Sequence, residues 1–92
     1  MSRYIKEFSV FTSDIDMITE HPRTEFSSEY FAEKVEILDA GSGTLIFNPG
    51  PANSPSTYDC ALTGLSAGDS IPGPIGCIRT GTNVNKVRVW WD

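Results

Sequence analysis

All eight glycines of this chain lie after residue 40, and so do five of its six prolines. Glycine opens positive-φ backbone and proline interrupts hydrogen-bonded ladders, so a stretch punctuated this densely must be short strands joined by tight turns. Between the punctuation marks stand runs rich in β-branched and aromatic residues, which suit a pleated, half-buried surface. Residues 34–39 (KVEILD) and 44–48 (TLIFN), separated by Ala40-Gly41-Ser42-Gly43, read as a hairpin. Residues 57–63 (TYDCALT) alternate, with Tyr58, Cys60 and Leu62 expected inward and Asp59 outward. Residues 71–80 carry two prolines and two glycines and fit only an edge or bulged strand. Pro49 to Ser56 is a surface loop, and Gly64 to Ser70 a turn with Leu65 as an apolar plug.

The last strand has the clearest two-residue period. After the Thr80-Gly81-Thr82-Asn83 turn, Val87, Val89 and Trp91 share one face, and Lys86, Arg88 and Trp90 the other. The first set is expected inward, since burying Lys86 and Arg88 unpaired is costly. The second set places an aromatic ring beside two cations on the solvent side, the composition of an interface hot spot. Lys86, Arg88 and Trp90 are therefore candidate partner-binding residues.

The first forty residues differ in kind. They hold nine acidic and four basic side chains, against three of each in the remainder. Tyr4 to Phe11 reads as a strand. The segment 12–20 (TSDIDMITE) is compatible with a helical turn after Ser13 or with an extended arm, and the arm is preferred. Pro22 disfavours helix at His21, and Glu25 to Lys34 has room for one helical turn capped by Ser27. The division expected is an acidic arm over residues 1–30 and a β-domain over 31–92. Ile15, Met17 and Ile18 are the arm's apolar anchors and its candidate contacts with a neighbouring subunit.

Overall the expectation is all-β: a small single-domain β-sandwich or barrel of five to six short antiparallel strands, preceded by that arm. Ninety-two residues make one marginally stable domain. A net charge of −5 argues against binding nucleic acid through its phosphates. Nothing approaches the length of an apolar membrane span, and Met1-Ser2-Arg3-Tyr4 leads into no apolar leader core.

Little here suggests catalysis. His21 has no nucleophile locally paired with it and reads as a solvated loop histidine. Asp14, Asp16 and Glu20 lack the glycine and the later bidentate Glu of a calcium loop. Gly41-Ser42-Gly43 is followed by no Lys-Ser or Lys-Thr and is not a phosphate loop. Cys60 and Cys77 lack metal-ligand spacing and read as small buried hydrophobes, with a disulfide open if their strands are neighbours. No catalytic, cofactor or metal residue is assigned. Tyr4, Tyr30, Tyr58 and Trp90, if exposed, would suit a carbohydrate-binding module, although core or interface positions account for most of them more simply.

The order of the turn motifs carries a resemblance. Gly68-Asp69-Ser70, Ile71-Pro72, Thr80-Gly81-Thr82 and the terminal Trp90-Trp91 follow an Ala-Gly-x-Gly-like turn and a variable loop. From Phe31 to Trp91 the chain thus resembles small glycine-rich β-proteins encoded among the virion genes of tailed bacteriophages. It departs from them at Gly73-Pro74, where a continuous apolar strand is usual, and residues 1–30 are not covered. The resemblance implies a non-enzymatic structural role without cofactors: a head decoration or cement protein that binds and stabilises the assembled major capsid protein shell. It also implies a homo-oligomer or repeated copies on a symmetric lattice. The location implied is the virion, after synthesis in the host cytoplasm, where Cys60 and Cys77 would stay free thiols. A tail or spike component is the nearest alternative, and a carbohydrate-binding adhesion module is the rival of another class.

Overall fold

In a computed structural model the structure describes residues 4–21 and 31–91. It is all-β, and the described residues form eight strands: β1 (Tyr4–Phe8), β2 (Ile15–Asp16), β3 (Ala32–Asp39), β4 (Leu45–Asn48), β5 (Cys60–Leu62), β6 (Ser70–Ile75), β7 (Cys77–Ile78) and β8 (Lys86–Trp91). They make two open antiparallel sheets of four strands, ordered β1-β8-β3-β6 and β2-β7-β4-β5. A single apolar core draws on both, including Val35, Ile37, Val87, Val89 and Trp91 from the first sheet and Leu45 and Ile78 from the second. The count of eight, against five to six expected, arises partly because residues 71–80 form two strands in different sheets. The sheets are not closed into a barrel.

The switch between those two strands occurs at Gly76. Its N–H donates to Asn48 O and its carbonyl accepts from Met17 N, both at 2.8 Å. A Cβ at this position would run into the Gly50 backbone. Only glycine lets three segments meet there, so the chain can leave β6, an edge strand as its prolines require, and enter the interior of the second sheet.

β8 lies between β1 and β3, and its inward Val87, Val89 and Trp91 are fully buried, as its alternation predicts. The hairpin expected from 34–39 and 44–48 does not form. Both sides of β3 are taken, by β8 and β6, while β4 pairs with β5 and β7 in the other sheet. The turn between them is held by residues 83–85 instead: Ser42 N donates to Asn83 O, Asn83 N to Thr44 O and Asn85 N to Asp39 O. Gly41 and Gly43, at φ of +52° and +82°, allow that path.

Residues 4–21 also depart from the expected arm. β1 pairs with β8 over its whole length and β2 pairs with β7, so both are built into this chain's own sheets. Met17 is fully buried in the core, and Trp91 Nε1 donates to its carbonyl at 2.9 Å. The acidic composition concealed this role because the apolar contribution of 4–21 is spread among charged neighbours. Of the helical turn expected over Glu25 to Lys34, residues 25–30 and the Ser27 cap lie outside the described residues, as does Tyr30, and Ala32 to Lys34 are strand.

Two further expectations are corrected. His21 is 2% exposed, not solvated; its ring lies 5.0 Å from that of Tyr4 and 5.8 Å from that of Trp91. Tyr58 and Cys60 face solvent, while Asp59 is half-buried, because residues 56–58 form a 3-10 turn that resets the alternation before β5 begins. Of that run only Leu62 packs on the core as expected, joined by Leu65 from the following turn. Cys77 is buried and Cys60 exposed, and both are free thiols.

Candidate functional site

Register places the outward residues of the first sheet in rows. Directly opposed residues of neighbouring strands share a face. Ile5 stands opposite Trp90, Trp90 opposite Lys34 and Lys34 opposite Pro72, so these four make one row across β1, β8, β3 and β6. The next row is Glu7, Arg88, Glu36 and Ser70.

The first row is aromatic and aliphatic with one cation. Ile5 is 49% exposed, and Lys34 Nζ sits 4.3 Å from the Trp90 ring centroid. That is a cation–π contact. Trp90 itself is half-buried, and its Nε1 is a buried donor without a hydrogen-bond acceptor among the described residues.

The second row is an ion-pair chain. Glu7 accepts from Arg88 at 3.0 Å and pairs with Lys86 at 3.1 Å, and Arg88 reaches Glu36 at 3.8 Å. The bonds from Arg88 and then Lys86 hold the Glu7 carboxyl below its ordinary range. Lys86 and Arg88 therefore share the outward face with Trp90, both on its N-terminal side along β8, and are already joined to acids on neighbouring strands. Ile5, Glu7, Lys34 and Glu36 are members of the face that sequence reasoning missed. Only strand register brings them there, and the one available signal was the odd-even alternation of residues 4–8 and 34–37.

The other candidates scatter. Met17 is in the core and is not a contact residue. Ile15 pairs with Ile78 and packs against the core, and Ile18 is partly exposed, its N–H donating to Asp16 Oδ1. Their separation from Trp90 follows from β2 belonging to the second sheet.

A second polar cluster, around Arg79, was not anticipated. Arg79 is buried, and its guanidinium donates to Asp59 Oδ1 (2.9 Å), Asp14 Oδ2 (3.0 Å), Ala52 O and Ser54 O (2.7 Å each). Asn48 adds bonds to Asp59 Oδ1 and Pro55 O and accepts from Gly50 N. Asn48 and Arg79 together hold Asp59 below the usual carboxylate range. The proline-rich loop is thus tied to the body of the second sheet by side chains. Asp16 contributes by accepting from Ala52 N. The acids considered for metal binding are thereby accounted for in part by packing duties, and no metal-ligating group of three is present among the described residues.

An open groove of roughly 590 Å³ runs between residues 9–12, Gly41–Ser42 and 82–85. Its polar backbone is partly spent on the turn clamp already described, and Val10 at its rim is 65% exposed. No protein-family model, curated protein or solved structure matches this chain.

Proposed function

We propose that this chain is a non-enzymatic virion structural protein, a head decoration or cement protein that binds the assembled major capsid protein shell through the outer face of its first sheet. The observation that carries the contact surface is the outward row Ile5–Trp90–Lys34–Pro72, a half-buried indole with apolar flanks on a face otherwise tied by ion pairs. Aromatic residues at the centre of such a patch are where binding energy concentrates. The non-catalytic reading is supported by the use of Asp14, Asp16, Asp59 and His21 in packing and loop attachment. The virion assignment rests on the turn motifs of residues 31–91. Modest affinity per copy suffices on a repeating lattice, because many copies bind.

Incubating the purified protein with particles lacking it, then measuring copies bound per particle, tests the assignment. Occupancy at lattice stoichiometry is expected, and Trp90→Ala should weaken attachment by about thirtyfold, equivalent to ~2 kcal/mol. Occupancy at a few copies per particle would move the assignment to a tail or spike, and none would overturn it.

A carbohydrate-binding module is the second reading, favoured by Tyr58, which is 65% exposed on the 3-10 turn. The Trp90 ring is less suited to stacking on a sugar because Lys34 already occupies a position over it. Specific millimolar or tighter glycan binding, lost in Tyr58→Ala, would establish this reading instead.

A further inference from the structure

The groove between residues 9–12, Gly41–Ser42 and 82–85 carries two side-chain amides set for a ligand. We infer that it binds a neutral glycan through the acetamido group of an N-acetylated amino sugar. The site goes beyond the capsid contact and does not depend on it. Asn85, on its wall, stands five residues before Trp90, about 17 Å of extended chain.

Asn83 and Asn85 define the site. Val84 between them is buried and both asparagines are exposed, so the two amides stand on the same outer side. Each is oriented by a bond to its own chain. Asn83 Oδ1 accepts from Thr44 N at 2.8 Å, which leaves Nδ2 as a donor. Asn85 Nδ2 donates to Asp39 Oδ1 at 3.2 Å, which leaves Oδ1 as an acceptor. Neither remaining atom has a protein partner among the described residues. Gly41 keeps the acceptor open, since a Cβ there would stand 3.0 Å from Asn85 Oδ1. A donor and an acceptor on residues about 7 Å apart complement one trans amide placed between them. Its carbonyl then faces Asn83 and its N–H faces Asn85. Because the asparagines are already oriented, binding has little side-chain freedom left to remove.

The rest of the groove selects the group that carries the amide. None of its described lining residues is charged. Asp39 behind Asn85 and the net charge of −5 disfavour acidic or phosphorylated sugars. On the opposite wall Val10 is 65% exposed and Phe11 half-buried, an apolar surface for the acetyl methyl and the C–H face of a sugar ring. Ser9, Thr12 and Ser42 offer exposed hydroxyls to those of the ring. An extended peptide fits less well, because it brings an amide every ~3.3 Å and only two amide atoms await it. The groove is open, so affinity per site is weak. Copies repeated on one surface would supply the avidity for a glycan-coated partner.

Two trisaccharides that differ in one group test the slot. Chitotriose, the β-1,4-linked trimer of N-acetylglucosamine, carries the acetamido group. Cellotriose has the same linkage and a hydroxyl in its place. Titrated into the isotope-labelled full chain, chitotriose should shift the Asn83 side-chain NH2 resonances and the backbone amides of 9–12 and 82–85, with a millimolar or tighter Kd. Cellotriose, which has no amide for the two asparagines, should bind at least about tenfold more weakly. Asn83→Asp replaces the donor with a carboxylate oxygen but keeps an acceptor for Thr44 N, and should weaken chitotriose at least about tenfold. Should that variant fold poorly, Val10→Ser supplies the second measurement. Its side chain is exposed, so the fold is kept, and losing the methyl contact should weaken chitotriose severalfold.

No shift with chitotriose up to about 10 mM, equal affinity for the two sugars, or binding undiminished by Asn83→Asp would each overturn the inference. Shifts gathered around Tyr58 would also overturn it and would move sugar binding to that ring. Tighter binding of the uncharged peptide acetyl-Ser-Val-Ser-Val-amide in the groove would overturn it in favour of a protein segment. A chain that binds no sugar yet decorates particles leaves the functional reading standing, and one that binds chitotriose but no particle does the reverse.

Discussion

Trp91 Nε1 donates a 2.9 Å hydrogen bond to the carbonyl of Met17, joining two fully buried residues 74 positions apart. The bond fastens the loop after β2 to the last residue of β8 and makes the acidic N-terminal segment part of the core.

Deleting residues 1–21 should accordingly prevent folding. The deletion removes β1 along the whole of β8, the fully buried Met17 and the acceptor for Trp91. Circular dichroism and proton spectra of the truncated chain check this. A folded truncation with a cooperative melt would restore these residues to the status of a detachable arm.

The adjacent tryptophans should behave differently. Trp91→Ala removes a fully buried indole and should cost roughly 3–5 kcal/mol, a large part of the stability of a small domain. Trp91→Phe keeps most of the apolar volume but leaves Met17 O without its donor, at a cost of about 1–3 kcal/mol. Trp90→Ala should cost less than half as much as Trp91→Ala, since half of its environment is solvent and Lys34. Chemical denaturation of the three variants measures the order, and equal losses at 90 and 91 would show that Trp90 is core.

Asn48→Ala should loosen the proline-rich loop. The side chain makes three hydrogen bonds from a buried position, and losing them should cost about 1–3 kcal/mol. Limited proteolysis should show cleavage within residues 49–59 before the rest of the chain is cut. Arg79→Lys should give the same cleavage pattern, because a lysine cannot reach two carboxylates and two carbonyls in the fork that a guanidinium spans.

Acid should release the same loop. Asp59 titrates below its ordinary 3.8 in the folded chain, so its contribution to stability is present above that value and is lost as the pH falls through the lower folded value. Glu7 follows the same sign below its ordinary 4.5, weakening the hold of β1 on β8. Melting temperature should therefore be flat above about pH 5 and fall on acidification below it. In Asp59→Asn the acid-induced exposure of residues 49–59 should shrink. Identical profiles for the two chains would refute the assignment.

Gly76→Ala should be destabilising by about 1–3 kcal/mol through overpacking, because the added methyl meets the rigid Gly50 backbone, which cannot rotate away as a side chain would. A neutral melt would show that the crossover relaxes freely.

The sequence by itself determined the class of fold and the two faces of β8. Glycine and proline act within a few residues of themselves, so their positions mark the Gly41–Gly43 and Thr80–Gly81 turns and the edge character of β6. Two-residue alternation is equally local, and it separated Val87, Val89 and Trp91 from Lys86, Arg88 and Trp90. Tertiary structure decided which strands became neighbours. β3 and β4 looked like a hairpin, yet each found longer or better-buried partners elsewhere, and no local signal ranks such choices. Pairing between β1 and β8 put Glu7 beside Arg88 and Ile5 beside Trp90 across more than eighty positions, turning an expected arm into part of a sheet. The same long-range closure buried His21 against Trp91 and assembled the Arg79 cluster from residues 14, 52, 54 and 59. Alternation fixes which way a side chain points, while the neighbours it meets depend on the strands that can cover each other's apolar faces.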